Sequence, residues 1–262
     1  MKPSYCPVTE LSQRRSQGRP GPLLPEEYRP RSFQAAFAMQ QAVGEVFAGV
    51  SADRVAGWKC GTPSAGKNII GPLYAETLQA GNVCQLYTNA GGLALVEPEL
   101  AFELQQDLLP RAEPYAEKEV DAAVGVTRLA LELIQSRYTD TSQASFFDAL
   151  ADGLVNQGLW LGPELKKSTE LDLSAFTLSI RVGGEEKEAL TAQHPNGNPR
   201  AGLYWLVNFL SQQGIALRRG QQVITGSYSG VLKLPVEQLV TLGYGKLGEF
   251  TLQFSEIASP AA

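Results

Sequence analysis

Residues 96–102 read Val-Glu-Pro-Glu-Leu-Ala-Phe, and this run constrains the chain more than any other. Its apolar surroundings predict a strand over residues 94–104. Alternation then places Glu97 and Glu99 on one face, with Leu100, Phe102 and Leu104 on the other. Two like charges on one face repel unless a Lys or Arg, bulk water or a divalent metal lies between them. A solvated strand face satisfies the pattern, and Glu103 in the same register supports that reading. A hard-cation site satisfies it equally, because carboxylate oxygens suit magnesium or manganese.

The rest of the composition narrows the field. A chain of 262 residues with 44% hydrophobic content has ample material for a buried core, in one large domain or two small ones. A net charge of -5 argues against a general nucleic-acid binder. No apolar run is long enough to span a bilayer, and the first thirty residues carry arginines and prolines rather than a signal-peptide core. The expectation is a soluble cytoplasmic protein. Cys6, Cys60 and Cys84 are too few and too scattered for a disulfide scaffold. With His194 the only histidine and no CxxC pair, an ordinary Cys/His zinc site is excluded. A catalytic triad would have to use His194, which lies in a turn-rich His-Pro-Asn-Gly-Asn-Pro loop and reads as structural or solvent-exposed.

Residues 1–30 read as an extended N-terminal arm, because Pro20, Pro22, Pro25 and Pro30 suit neither a regular helix nor a central strand. Residues 31–262 read as a single domain. Helices are predicted over 32–47, with Ser32 as N-cap, and over 116–127, 141–155 and 200–213. Strands are predicted over 55–60, 83–87, 94–104, 176–182, 222–224, 240–242 and 250–254. Residues 65–75 show no clear period, and 129–134 suit a helix or a buried strand equally. Strands and helices fall in blocks, which favours an α+β fold.

Three further segments carry chemistry. Glu132 sits alone in Ala-Leu-Glu-Leu-Ile, and a buried, unpaired carboxylate is costly. It needs a partner there, or it faces water from a helix. Lys59 lies between Trp58 and Cys60, where partial desolvation would make it useful as an acid or base. An edge-strand lysine is the plainer reading. Residues 223–228, Val-Ile-Thr-Gly-Ser-Tyr, offer the Thr225 and Ser227 hydroxyls and a permissive backbone, although a turn explains them as well.

In this order, these segments resemble the hydratase/decarboxylase branch of the fumarylacetoacetate hydrolase superfamily, the branch of the 2-keto-4-pentenoate hydratases. Residues 34–40, Gln-Ala-Ala-Phe-Ala-Met-Gln, are similar to its N-terminal helix. Residues 58–62, Trp-Lys-Cys-Gly-Thr, resemble its Trp-Lys-x-Gly-x segment. Residues 97–102 resemble its Glu-x-Glu-[Ile/Leu]-Ala-Phe motif, and residues 130–137 its Ala-Leu-Glu-Ile-x-Asp-Ser-Arg motif. Asp152 to Gly162, Asn198-Pro199, Gly220 to Ser227 and Leu247-Gly248 match later landmarks.

The resemblance implies mixed sheets curled around the active site, with helices outside. It implies Mg2+ or Mn2+ held by Glu97, Glu99 and Glu132, with Lys59 as the catalytic residue and Thr225 and Ser227 binding substrate. The implied activity is that of a metal-dependent lyase of aromatic catabolism, a hydratase or decarboxylase. Its substrate would be a small 2-oxo acid or 2-hydroxydienoate, reacting through a stabilised enolate. The alternatives are an acylpyruvate carbon-carbon hydrolase and a catalytically altered, hydratase-like partner subunit. Homo-oligomers are implied, with room for a hetero-complex with a related enzyme. Two departures stand out. The family's acidic residue in Pro-Asp-[Tyr/Phe]-Gly has no counterpart in residues 68–74, Asn-Ile-Ile-Gly-Pro-Leu-Tyr, and its Ser-Ser pair is replaced by Val155-Asn156.

Overall fold

The computed structural model describes residues 5–48, 54–166 and 168–258. Its first element is a helix, α1 (Pro7–Gln17), where the prolines of the following segment predict an extended arm. Pro7 sits in the first turn, where its missing N–H is no loss, and Gly18 closes the helix in the left-handed region at φ 62°. The prolines begin only after that cap. Leu11, Arg14 and Arg15 of α1 are buried, so the helix packs on the body of the protein. Residues 19–25 then carry no helix and no strand beyond an isolated bridge from Gly21 to Tyr138.

The predicted second helix is α2 (Phe33–Ala48), entered through Ser32, whose hydroxyl accepts the Ala35 N–H at 3.2 Å. Residues 65–75 are not irregular. β1 (Val55–Ser64) and β2 (Lys67–Tyr74) form a hairpin whose two turn residues, Ala65 and Gly66, both have positive φ. That is the mirror-image turn whose twist matches paired strands. Next come β3 (Leu78–Ala80), β4 (Val83–Leu86) and β5 (Leu93–Leu104). The helix predicted over 116–127 is shorter, α3 (Glu117–Ala123), and gives way to β6 (Val124–Ile134), which settles residues 129–134 as strand. The helix predicted over 141–155 contracts to α4 (Phe146–Ala151): Ser145 caps its start, its hydroxyl accepting the Asp148 N–H, and Gly153, Leu154 and Val155 take positive φ beyond its end.

The remaining elements are β7 (Asn156–Glu164), β8 (Ala175–Val182), β9 (Glu185–Gln193), α5 (Ala201–Gln212), β10 (Gln222–Ile224), β11 (Leu232–Pro235), β12 (Leu239–Tyr244) and β13 (Glu249–Glu256). Strands β7, β9 and β11 are not legible in the sequence. β9 is a charged, largely exposed edge strand with no apolar alternation.

Two mixed sheets result. The larger has the order β2-β1-β10-β5-β6-β7-β3, with β11 also on β5; the smaller has the order β4-β13-β12-β8-β9. β2 and β3 lie at opposite ends of the larger path, yet only Ala75–Thr77 separates them in the chain. The sheet must therefore curl round, and β2 indeed touches β7. The outer face buries Val96, Leu100 and Leu131 against Leu178, Leu242 and Phe254 of the smaller sheet. Elsewhere Trp58, Ile70, Phe102 and Val223 meet the helices. Inside the curl lies a small apolar floor of Leu73, Ala101, Ala130, Leu159 and Ile224.

Candidate metal centre

In the antiparallel register of β5 and β6, Glu97 lies opposite Glu132 and Glu99 opposite Ala130. All three glutamates thus share the face of the apolar floor. β5 meets β11 over Leu93–Val96 and β10 over Ala101–Glu103. Among the described residues, positions 97–100 have no ladder partner on that edge. Pro98, which has no N–H to contribute to a ladder, falls in this opening. The segment joining β10 to β11 swings out there. It returns the Gly226 N–H to Glu99 Oε2 at 2.7 Å and the Tyr228 N–H to the Pro98 carbonyl at 3.0 Å.

Lys59 arrives from β1. Its lateral neighbours are Ile224 and, beyond it, Ala101, so it shares the glutamate face. Its Nζ donates to Glu132 Oε1 at 2.5 Å and to the Leu154 carbonyl at 3.1 Å. Asn156 Nδ2 donates to the same Glu132 oxygen at 2.9 Å. Glu132 Oε2 is buried without a hydrogen-bond partner. One carboxylate oxygen from each of Glu97, Glu99 and Glu132 falls within a 4.8 Å cluster.

The solvated-face reading does not survive. Glu99 is 2% exposed and Glu132 0%, while Glu97 is half-buried. Glu103 follows the plainer reading in part: it is half-buried at the rim and lies 3.6 Å from Arg128. Nor is Lys59 an edge lysine, since β10 and β2 flank its strand and it is 8% exposed.

Burial, then the charge of Glu132, pushes the Glu97 carboxyl up to about 7. Burial and the charges of Glu132 and Glu97 hold Glu99 well above the carboxylate range, against the Gly226 N–H and Lys59. Burial alone would lower Lys59. Glu132 outweighs it, with help from Glu97 and Glu99, and the ammonium is held above its usual value. Fully ionised, three carboxylates and one ammonium leave two negative charges in a largely buried site. A divalent cation matches that excess, and the orphaned Glu132 Oε2 gives it a free ligand atom. The residues present fit such an ion.

The other expected groups sit differently. Thr225 is buried, with Oγ1 3.4 Å from His194 Nε2, and Gly202 of α5 closes on its β-carbon side. The Ser227 hydroxyl donates to the Gly230 carbonyl at 3.1 Å. The group of this segment that reaches the glutamates is the Gly226 N–H. His194 is 1% exposed, and burial lowers its pKa to about 4, so it is a neutral internal group. Asp152 is also buried, 3.0 Å from Arg137 and 3.6 Å from Arg15 of α1. Asn156 was legible in the sequence only as a departure from the family, without a role. A polar residue just after the matched Asp152 was its only signal.

No protein-family model matches the chain. It is 27% identical over 161 residues to a 2-keto-4-pentenoate hydratase of Paraburkholderia phymatum, covering 62% of this chain and 60% of the relative. It is 29% identical over 162 residues to a 4-oxalocrotonate decarboxylase of a Pseudomonas species, covering 59% and 61%. The matches thus span about three fifths of these curated relatives. Among solved structures, 4-oxalocrotonate decarboxylase from Pseudomonas putida G7, complexed with magnesium and adipate, superposes with a TM-score of 0.74. That match has 18% identity and covers 95% of both chains. The chain has the fumarylacetoacetate hydrolase-like fold, and the curated proteins it is similar to carry the names of hydratases and of a decarboxylase.

Proposed function

We propose that this chain is a divalent-cation-dependent lyase that hydrates or decarboxylates a small 2-oxo acid or its 2-hydroxydienoate enol. The observation that carries the reading is the convergence of Glu97, Glu99 and Glu132, with Lys59 bound to the same Glu132 carboxylate. Magnesium or manganese at the three glutamates would supply Lewis acidity to the paired oxygens of a 2-oxo acid. Glu99 is fixed by the Gly226 N–H, and Glu97 stands on the more exposed side. Lys59 carries the proton. Held charged by Glu132 and steered by the Leu154 carbonyl, its Nζ passes a proton to the substrate or holds its carboxylate. Ser227, half-buried beside Gly226, completes the carboxylate end, whereas Thr225, expected to share that role, turns its hydroxyl to His194 and its β-carbon to Gly202 of α5. The working form is a cytoplasmic homo-oligomer.

Gly71 favours a second reading, a subunit that binds a related enzyme without turnover of its own. It falls in the stretch where the family's acid is missing, and a side chain there would meet the Gly153 carbonyl at 3.0 Å. Two measurements test the function. Calorimetry with Mn2+ on the wild type and on Glu99→Ala should show binding lost in the variant; negligible binding by both sinks the metal reading. Turnover of a panel of 2-oxo acids and 2-hydroxydienoates by the purified chain eliminates the second reading, and release of pyruvate from an acylpyruvate alone would indicate a hydrolase instead.

A further inference from the structure

We infer that Asn156 is a positioning residue of this centre: its carboxamide fixes Glu132 so that Oε1 serves Lys59 and Oε2 alone is left for the cation. The inference rests on the metal-dependent reading above. Asn156 is 0% exposed at the start of β7. Its Nδ2 donates to Glu132 Oε1 at 2.9 Å and to the Gly158 carbonyl at 3.1 Å. Both partners are acceptors, so the amide has one possible orientation; turning it over would set oxygen against oxygen twice.

Glu132 Oε1 therefore holds two donors, Asn156 Nδ2 and Lys59 Nζ, while Oε2 holds none. Asn156 Oδ1 is likewise buried with no partner. Two orphan acceptors on residues joined by one hydrogen bond call for a guest that brings positive charge and hydrogen-bond donors together. A hydrated divalent cation brings both.

The backbone around Asn156 is built to hold it. Gly153, Leu154 and Val155 have φ of 81°, 55° and 61°, a left-handed run that is unfavourable for Leu and more so for a β-branched Val. The run turns the chain so that Leu154 offers its carbonyl to Lys59 and Asn156 its amide to Glu132. It is anchored on both sides. Arg137 binds the Asp152 carboxylate at 3.0 Å and the Asn156 carbonyl at 3.0 Å, and Arg15 of α1 donates to the Asp152 carbonyl.

The test uses the full chain and Mn2+ alone. Calorimetry should give Asn156→Ala a Mn2+ dissociation constant raised about tenfold or more, the usual effect of removing a residue that orients a ligand. Asn156→Ser, which keeps a donor, should recover part of that loss. Affinity of the alanine variant within about twofold of wild type, with both proteins folded by circular dichroism, overturns the inference. Should the alanine variant not fold, a wild-type crystal structure with Mn2+ decides: Oε2 on the ion supports the inference, and Oε1 on the ion overturns it. Absence of Mn2+ binding by the wild type removes the metal reading and this inference with it, whereas an unaffected variant removes only the inference.

Discussion

Glu97 on β5 and Glu132 on β6 are direct cross-strand partners, with Lys59 bound to the second of them but not the first. Like charges at opposite positions of a ladder are destabilising, and here the low polarity of the surroundings sharpens the conflict. The sheet tolerates the pair because Glu97 holds its proton up to about 7. Above that pH the metal-free protein carries a repulsion that a cation relieves.

Mn2+ affinity should therefore rise with pH through about 7, because the ion must displace the Glu97 proton. The metal-free protein should respond in the opposite sense. A folded pKa near 7 against 4.5 unfolded gives a stabilising contribution that is complete below 4.5 and lost as pH rises through 7. Calorimetry and thermal melts in chelator, each taken across that window, check both slopes. A flat affinity profile contradicts the role assigned to Glu97.

Lys59→Met leaves Glu132 without its cation in a buried site. Breaking such a pair costs about 3–5 kcal/mol. In chelator, the melting temperature should fall by roughly 6 °C or more, at about 2–4 °C per kcal/mol for a chain of this size. Saturating Mn2+ should raise the variant's melting temperature by more than it raises the wild type's, because the ion then replaces the missing charge. Equal increments would mean that Lys59 and the cation do not share Glu132.

Gly71→Ala probes the opposing wall. Its new β-carbon would lie 3.0 Å from the Gly153 carbonyl and 3.2 Å from Lys59 Cγ, so the loop or the lysine must shift. Steady-state assay should show kcat reduced about tenfold, equivalent to ~1.4 kcal/mol. Mn2+ affinity should stay within about threefold, since no ligand is touched. Wild-type turnover would show that the wall has slack. Placing an acid here, as in Gly71→Asp, meets the same atoms and restores nothing.

Val155→Gly should stabilise the fold by about 1 kcal/mol, because glycine accepts the left-handed region that valine resists. A melting-temperature gain of roughly 2–4 °C is the expected reading. A loss would place the valine side chain's packing above its backbone strain.

Legibility in the sequence followed the physics of each segment. Glu97, Glu99 and Glu132 stand out because acids inside apolar strands are costly anywhere. Their convergence rests on the register of β5 with β6, which one sequence read alone does not specify, and only the family resemblance pointed to it. Helix α1 was hidden by prolines that lie beyond its Gly18 cap. Asn156 was hidden because its role depends on three left-handed residues before it, and Leu and Val announce no such conformation. The hydroxyls of Thr225 and Ser227 drew attention, but the group that reaches Glu99 is the backbone N–H of Gly226, and side-chain chemistry carries no signal for that.

β10 is three residues long, yet it alone separates the strand of Lys59 from the strand of Glu97 and Glu99. Its contribution to the sheet comes from residues 222–224, far downstream of the two strands that carry the acids. The β5–β6 pair can form early during synthesis, but Lys59 of β1 cannot be set beside it until this late strand is inserted. The centre is therefore among the highest contact-order features of the molecule, and such features form slowly and last. Metal capture thus becomes a timestamp of maturation: a chain that holds Mn2+ tightly has already paired the strand of Lys59 with residues 222–224.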